Sequence, residues 1–249
     1  MISKIICPVD FSDAAVNAAE YAANLAQLFK ARLLFVHVQQ AFAVSSVASL
    51  AEGIDAGLQE SSHEAAEKLK EMSLEANKMF AISSDYELNV TTQSFEKLFS
   101  DTAPENTIIV MGTNGADDLF QFFFGTNTYQ VIRKTKCPVL VIPEKVSYTK
   151  INKVVFSWDY NTENKYSFPL FGDLKTAFNP QFVFLHISKE QTEISLDVFR
   201  ALSGEAEAVL GAAHNVVFEQ QFSDTIPASI NVFMHQSEAD LLAITYYDR

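Results

Sequence analysis

Glycine, cysteine and basic residues are scarce in this chain of 249 residues. It has 8 glycines, 2 cysteines and 18 lysines and arginines, against 31 aspartates and glutamates. Two cysteines, Cys7 and Cys137, cannot form a disulfide framework or a zinc cluster, so we expect a reducing, cytoplasmic location. The net charge of −13 argues against nucleic acid and anionic membranes as partners, because such partners are bound through basic surfaces.

Other sequence signals are also missing. No apolar run approaches the roughly 20 residues of a membrane helix, and the first residues lack the pattern of a secretory leader. The phosphate-binding pattern G-x-x-x-x-G-K-[ST] is absent, as are any suggested Ser/His/Asp or Cys/His sets and metal-ligand spacings. Whether the protein is an enzyme stays open, and we expect at most a weak ATPase or autophosphorylation.

What the chain does contain is an internal repeat. Ile2–Asp10 resembles Ile151–Asp159 at an offset of 149 residues, and Leu33–Val38 resembles Phe182–Ile187 at the same offset. Two matches at one offset predict two copies of one unit. We expect domains at residues 1–145 and 151–249, joined by a linker at residues 146–150.

Each copy alternates apolar strands with helices, which predicts an α/β fold with two tandem open parallel sheets, doubly wound and five-stranded. In the second copy the fourth predicted strand, Leu241–Ile244, lies five residues before the last residue of this sequence. We therefore expect the second domain to be incomplete at its C-terminus. Its sheet edge would be covered by pairing of the two domains or by a partner chain in a homodimer.

Three of the eight glycines, Gly112, Gly115 and Gly125, fall within one 14-residue window between a buried strand and a helix. Glycines let the backbone approach a ligand closely, and a helix N-terminus offers free N–H donors to an anion. Asp10 ends the first strand and is expected at the same sheet edge. The window therefore predicts a phosphate site, the alternative being an ordinary strand–loop–helix connection.

Three segments together, Pro8–Asp10, Gly112–Thr126 and Cys137–Ile142, resemble the universal stress protein family in its tandem two-domain form. The resemblance implies binding of an adenine nucleotide, ATP or AMP, and a bound triphosphate would use Mg²⁺. Asn114 stands where a basic or imidazole residue is often found. The resemblance assigns Asp10 and Val38 to adenine and ribose, Met111 and Gly112 to the base and sugar side, and Asn114, Gly115, Gly125, Thr126 and Asn127 to the phosphates.

The second copy departs from this pattern, since Thr245 and Asp248 align with Gly112 and Gly115. We expect it not to bind ATP, which leaves Asp159 with a structural role. The function expected for the whole chain is that of a nucleotide-binding, regulatory stress-response protein. Two alternatives stay open: an interaction module with a vestigial pocket, acting through the Phe-rich loop Phe120–Phe124 or the second copy, and a slow ATPase.

Overall fold

The computed structural model describes residues 1–41, 48–100, 102, 105–114, 126–158, 168–189, 204, 206–211 and 216–246, without the side chains of residues 48–56, 126, 168 and 169. The chain divides into two compact units, the first formed by Ile2–Gly115 and Phe123–Tyr148 and the second mainly by the residues from Thr149 onward. Each contains a parallel sheet with helices, which confirms the predicted α/β class.

The first unit contains a five-stranded sheet whose strand order is β3-β2-β1-β4-β5. All neighbouring strands are parallel. The order reverses between β1 and β4, as expected for a doubly wound sheet. The elements are β1 Lys4–Pro8, α1 Asp13–Phe29, β2 Arg32–Gln40, α2 Ala48–Phe80, β3 Ser84–Thr91, α3 Lys97–Ser100, β4 Thr107–Thr113, α4 Thr126–Lys134 and β5 Val139–Pro143.

The second unit repeats this topology with four strands in its described part, in the order β8-β7-β6-β9, again all parallel. Residues 206–210 are helical as well. The remaining elements are β6 Lys153–Ser157, α5 Phe168–Phe178, β7 Gln181–Ser188, β8 Val216–Phe222, α6 Ile226–Gln236 and β9 Leu241–Ile244.

The repeat extends to the pairing of individual residues. In the first unit Lys4 of β1 is paired with Arg32 of β2, and in the second unit Lys153 of β6 is paired with Gln181 of β7. Both residues of the second pair lie 149 positions after their counterparts, the same offset that relates the two sequences. The repeat detected in the sequence is therefore a repeat of structure.

Helix α1 has clear signals at both ends. Before its first turn, the Ser12 hydroxyl accepts a hydrogen bond from the Ala15 N–H at 3.3 Å, an N-cap that satisfies one of the free donors there. At its other end Lys30 adopts a left-handed conformation with φ 54°. Asn179, which follows α5 at the repeat offset, has φ 50°. The two helices therefore end in the same way.

One face of each sheet carries a compact apolar core. In the first unit β1, β2 and β4 contribute Ile6, Val36, Ile109 and Met111, which pack with Phe99 of α3 and Val131 of α4. Helix α3 is a single turn. In the second unit the longer helix α6 takes this place, and the cluster is Val155, Val183, Leu185, Ile187, Ile230 and Met234.

Candidate functional site

The predicted site residues lie on adjacent strands at the carboxyl edge of the first sheet. Ile6 of β1 is paired with Leu34 of β2 and with Ile109 of β4. Counting four residues onward along each strand brings Asp10, Val38 and Thr113 to one level. This level lies at the point where the strand order reverses, the usual ligand position in open α/β sheets.

Asp10 is exposed and turns the chain from β1 into α1. Its Oδ1 accepts hydrogen bonds from the Ser12 N–H at 3.0 Å and from the Ser12 hydroxyl at 2.6 Å. Between them Phe11 adopts a positive φ of 64°, which is uncommon for a residue other than glycine. One carboxylate oxygen therefore holds the turn. Oδ2 has no protein partner in the described part of the chain and is available to a ligand hydroxyl.

Gly112 has a packing role that the sequence reasoning did not anticipate. A Cβ atom built there would lie 2.2 Å from the Ala14 carbonyl oxygen, 2.5 Å from its carbon and 2.9 Å from the Ala15 nitrogen. These are backbone atoms of the first turn of α1 and cannot rotate away. The absence of a side chain thus lets α1 pack directly on β4, whatever the residue also does for a ligand.

The apolar side of the site lies on the face covered by α3 and α4. Met111 is buried there, and Val38 is half-buried against the same cluster. Helix α4 begins at Thr126 and returns toward the start of β5, so its N-terminus lies at the carboxyl edge of the sheet. Asn114, just after β4, and Asn127, in the first turn of α4, are both exposed.

Several predicted residues fall outside the described part of the chain. Gly115 and Gly125 are among them, as is the Phe-rich loop Phe120–Phe124, and the side chain of Thr126 is also outside it. Their assignment to phosphates, or to a partner surface, therefore stays a prediction.

Thr113 is a residue of this edge that the sequence reasoning missed. Its side chain is buried, and its hydroxyl oxygen has no hydrogen-bond partner among the described residues. Its backbone carbonyl accepts a hydrogen bond from the Glu144 N–H at 3.0 Å. The available signal was its position in the strand, since alternate residues of β4 share one face and Ile109 and Met111 already mark that face as the one under α4.

The register of the second sheet supports the alignment of Thr245 with Gly112. Val154 of β6 is paired with Leu241 of β9, as Ile5 of β1 is with Ile108 of β4. Four residues further along, β4 reaches Gly112 and the second copy reaches Thr245. A side chain at that place excludes the close helix approach seen at Gly112. Asp248 lies outside the described residues.

The two equivalent histidines make the same contact. The Nδ1 atom of His37 lies 2.7 Å from the Val9 carbonyl oxygen, and that of His186 lies 3.0 Å from the Trp158 carbonyl oxygen. Because carbonyl oxygens accept, each ring donates from Nδ1 and fastens the chain after the first strand to the second strand. Trp158 is buried. The shared contact favours a structural role for both histidines.

Neither cysteine is an activated nucleophile. Burial raises the pKa of the Cys7 thiol to about 12. Burial also raises the pKa of Cys137, against the opposing effect of a hydrogen bond from Thr135. Because the thiolate is the reactive form, both side chains behave as apolar groups at neutral pH.

Within the described ranges, no group of three or more His, Cys, Asp or Glu side chains is arranged to hold a metal ion. No helix in the described part of the chain combines the length and the apolar character required to cross a membrane.

Comparison with known proteins gives a consistent result. A model described as the universal stress protein family matches residues 1–143. A universal stress protein of Methanocaldococcus jannaschii, MJ0531, is 31% identical over 153 residues, covering 57% of this chain and 82% of the relative. Another from the same organism, MJ0577, is 29% identical over 162 residues, covering 59% of this chain and 98% of the relative.

A crystal structure of a universal stress protein from Archaeoglobus fulgidus matches nearly the whole chain. It covers 97% of this chain and 86% of its own, with a TM-score of 0.75 and 15% sequence identity. At that identity the match shows the fold, and it shows it for both units.

Proposed function

The chain belongs to the universal stress protein family, and from that premise we propose that its first domain binds an adenine nucleotide, ATP or AMP, as a regulatory signal. The observation that carries the proposal is the meeting of Asp10, Val38 and the N-terminus of α4 at the edge where the strand order reverses. Such an edge combines an apolar surface for a base with N–H donors for phosphate.

Each predicted residue has a proposed task. Asp10 accepts hydrogen bonds from the ribose hydroxyls, and Val38 and Met111 contact the base. Gly112 contributes its backbone to the sugar side, since the first turn of α1 fills the space that a side chain would need there. The phosphates are bound by neutral donors from Asn114, Gly115, Gly125, Thr126 and Asn127. With ATP, Mg²⁺ would be coordinated chiefly by the phosphate oxygens.

We propose that the second domain, residues 151–249, serves a structural or regulatory role and that the protein acts in the cytoplasm, by domain pairing or as a dimer. Thr245 stands at the position of Gly112, which supports the proposal that the second domain binds no nucleotide of its own. Nucleotide binding to the first domain, residues 1–145, would then change the conformation of the protein or its association with a partner.

The test is an equilibrium titration of the full chain with labelled ATP and AMP. Asp10→Asn keeps an acceptor for the Ser12 N–H but removes the charge, and Gly115→Arg fills the predicted phosphate space. We expect both to weaken binding, and Asp159→Asn, at the equivalent place in the second copy, to leave it unchanged. A wild-type protein without measurable affinity for either nucleotide would overturn the proposal.

The same samples decide between nucleotide binding and hydrolysis. Steady-state phosphate release with Mg²⁺-ATP, compared with buffer alone, measures any ATPase activity. We expect binding without appreciable turnover, because the predicted site holds no lysine for the β- and γ-phosphates.

A further inference from the structure

The unpartnered hydroxyl of Thr113 needs an explanation. It is a buried side-chain polar atom without a partner in the described part of the chain. Buried polar groups in proteins are nearly always hydrogen-bonded, because an unmade bond costs free energy. By contrast Thr107, at the other end of the same strand, is also buried and donates to the Glu105 carbonyl at 3.3 Å.

The position of Thr113 relates this hydroxyl to the nucleotide site. It lies on the same face of β4 as Met111, which packs in the cluster containing Val131 of α4. Two residues along a strand advance about 7 Å, so Thr113 lies beyond Met111 toward the carboxyl edge. Thr128, three residues before Val131, is buried as well and lies one turn nearer the helix N-terminus.

Thr113 is thus placed beneath the first turn of α4, at the level of Asp10 and Val38. The N–H groups of a first helical turn have no partner within the helix, and they carry the positive end of the helix dipole. The Thr113 hydroxyl can add one more donor from the sheet side. An anionic oxygen accepts from both directions and is favoured by the helix dipole, and the anionic oxygens of a nucleotide are those of its phosphates.

We propose that the Thr113 hydroxyl donates a hydrogen bond to a phosphate oxygen of the bound nucleotide. The inference rests on the proposed function and adds a binding residue to it. It also explains how a site with Asn114 in place of a cation, in a chain of net charge −13, compensates in part for the missing positive charge. In the second copy the corresponding residue, by the register of β9, is Tyr246.

Thr113→Val is the decisive variant, because it removes the hydroxyl and keeps the shape. We expect it to weaken ATP binding by about 10- to 100-fold, the range for a hydrogen bond to a charged group. Binding of adenosine, which lacks phosphate, should stay within about twofold of wild type. The melting temperature of the nucleotide-free protein should equal or exceed that of wild type, since an unpaired hydroxyl is replaced by a methyl group.

Two further variants serve as controls. Thr107→Val makes the same exchange at a partnered hydroxyl of the same strand, and it should lower the melting temperature and leave ATP affinity unchanged. Thr113→Ser restores the hydroxyl and should bind ATP within a few-fold of wild type.

The outcomes are separable. Equal ATP affinity of wild type and Thr113→Val, or equal losses for ATP and adenosine, overturns the role of Thr113 and leaves the proposed function standing. A Thr113→Val protein that melts lower or fails to fold also overturns it, because the hydroxyl would then be a structural donor. A wild-type protein that binds no nucleotide refutes the proposed function itself.

Discussion

Replacing Gly112 with alanine should destabilise the first unit, because the added methyl group would meet backbone. Its Cβ would lie 2.2 Å from the Ala14 carbonyl oxygen, about 1.2 Å short of ordinary contact. The neighbouring Ala14 carbon and Ala15 nitrogen are also closer than 3 Å. Relief therefore requires the first turn of α1 to move off β4 as a unit.

The expected cost is about 1–3 kcal/mol, the usual range for overpacking a buried site. The same movement would carry the Ser12 cap and the Asp10 turn away from the sheet edge, since both precede that helix turn directly. Nucleotide affinity should fall together with stability.

Gly57→Ala is the matched control. Gly57 lies within α2, and a Cβ built there meets nothing within 4 Å. The same substitution should stabilise the protein there by about 0.5–1 kcal/mol, since alanine favours the helix. Sequence alone does not distinguish the two glycines in this way.

Urea unfolding, followed by circular dichroism, measures both variants. The single tryptophan, Trp158, belongs to the second unit and its fluorescence follows that unit separately. We expect Gly112→Ala to lower the midpoint of the first unit's transition. A Gly112→Ala protein within about 0.5 kcal/mol of wild type would refute the close approach of α1 to β4.

Two more predictions concern the first unit. In the native protein the Cys7 thiol has a pKa of about 12, whereas in the unfolded chain it has its ordinary pKa near 9. Below pH 9 the thiol is protonated in both states, and the stability that it contributes is fully present. Between these two pKa values the unfolded thiol loses its proton and the native thiol keeps it, so the free energy of unfolding falls by up to about 1.4 kcal/mol per pH unit. The free energy of unfolding should accordingly decline less steeply in that window for Cys7→Ala than for wild type, and equal slopes would contradict the burial of the thiol. Asn17 donates to the Pro143 and Val146 carbonyls at 3.0 and 2.9 Å, so Asn17→Ala should speed tryptic cleavage after Lys145. Asn24→Ala, which removes only a bond to the Glu20 carbonyl of its own helix, should not, and equal cleavage rates in both variants would exclude the attachment of this segment to α1.

Much of the fold was predictable from local sequence. The strand Leu241–Ile244 has the predicted bounds, because a short apolar run between turn residues identifies a strand. Helix α2 begins at Ala48, before two of the glycines. Gly53 and Gly57 lower the helix propensity of that stretch. Propensity is a weak guide there, because the stretch is continuous with the rest of a long helix.

The candidate site was predictable only in part. Asp10 and the glycine window were recognised because their residue types and spacing are unusual in a glycine-poor chain. Thr113 was not, because one threonine in an apolar strand resembles any other. The difference between Thr107, which has a partner, and Thr113, which has none, depends on what surrounds each side chain.

The sequence by itself determined the two-copy organisation, the α/β class and the family, because these follow from periodicity and from motif spacing along the chain. Only the tertiary structure decided which residues meet across the sheet. Strand register brings Asp10, Val38 and Thr113 to one level, although they are separated by up to about a hundred residues. The approach of α1 to β4 likewise requires a glycine at position 112. Motif spacing does not show this requirement, since it arises from contact between distant segments of the chain.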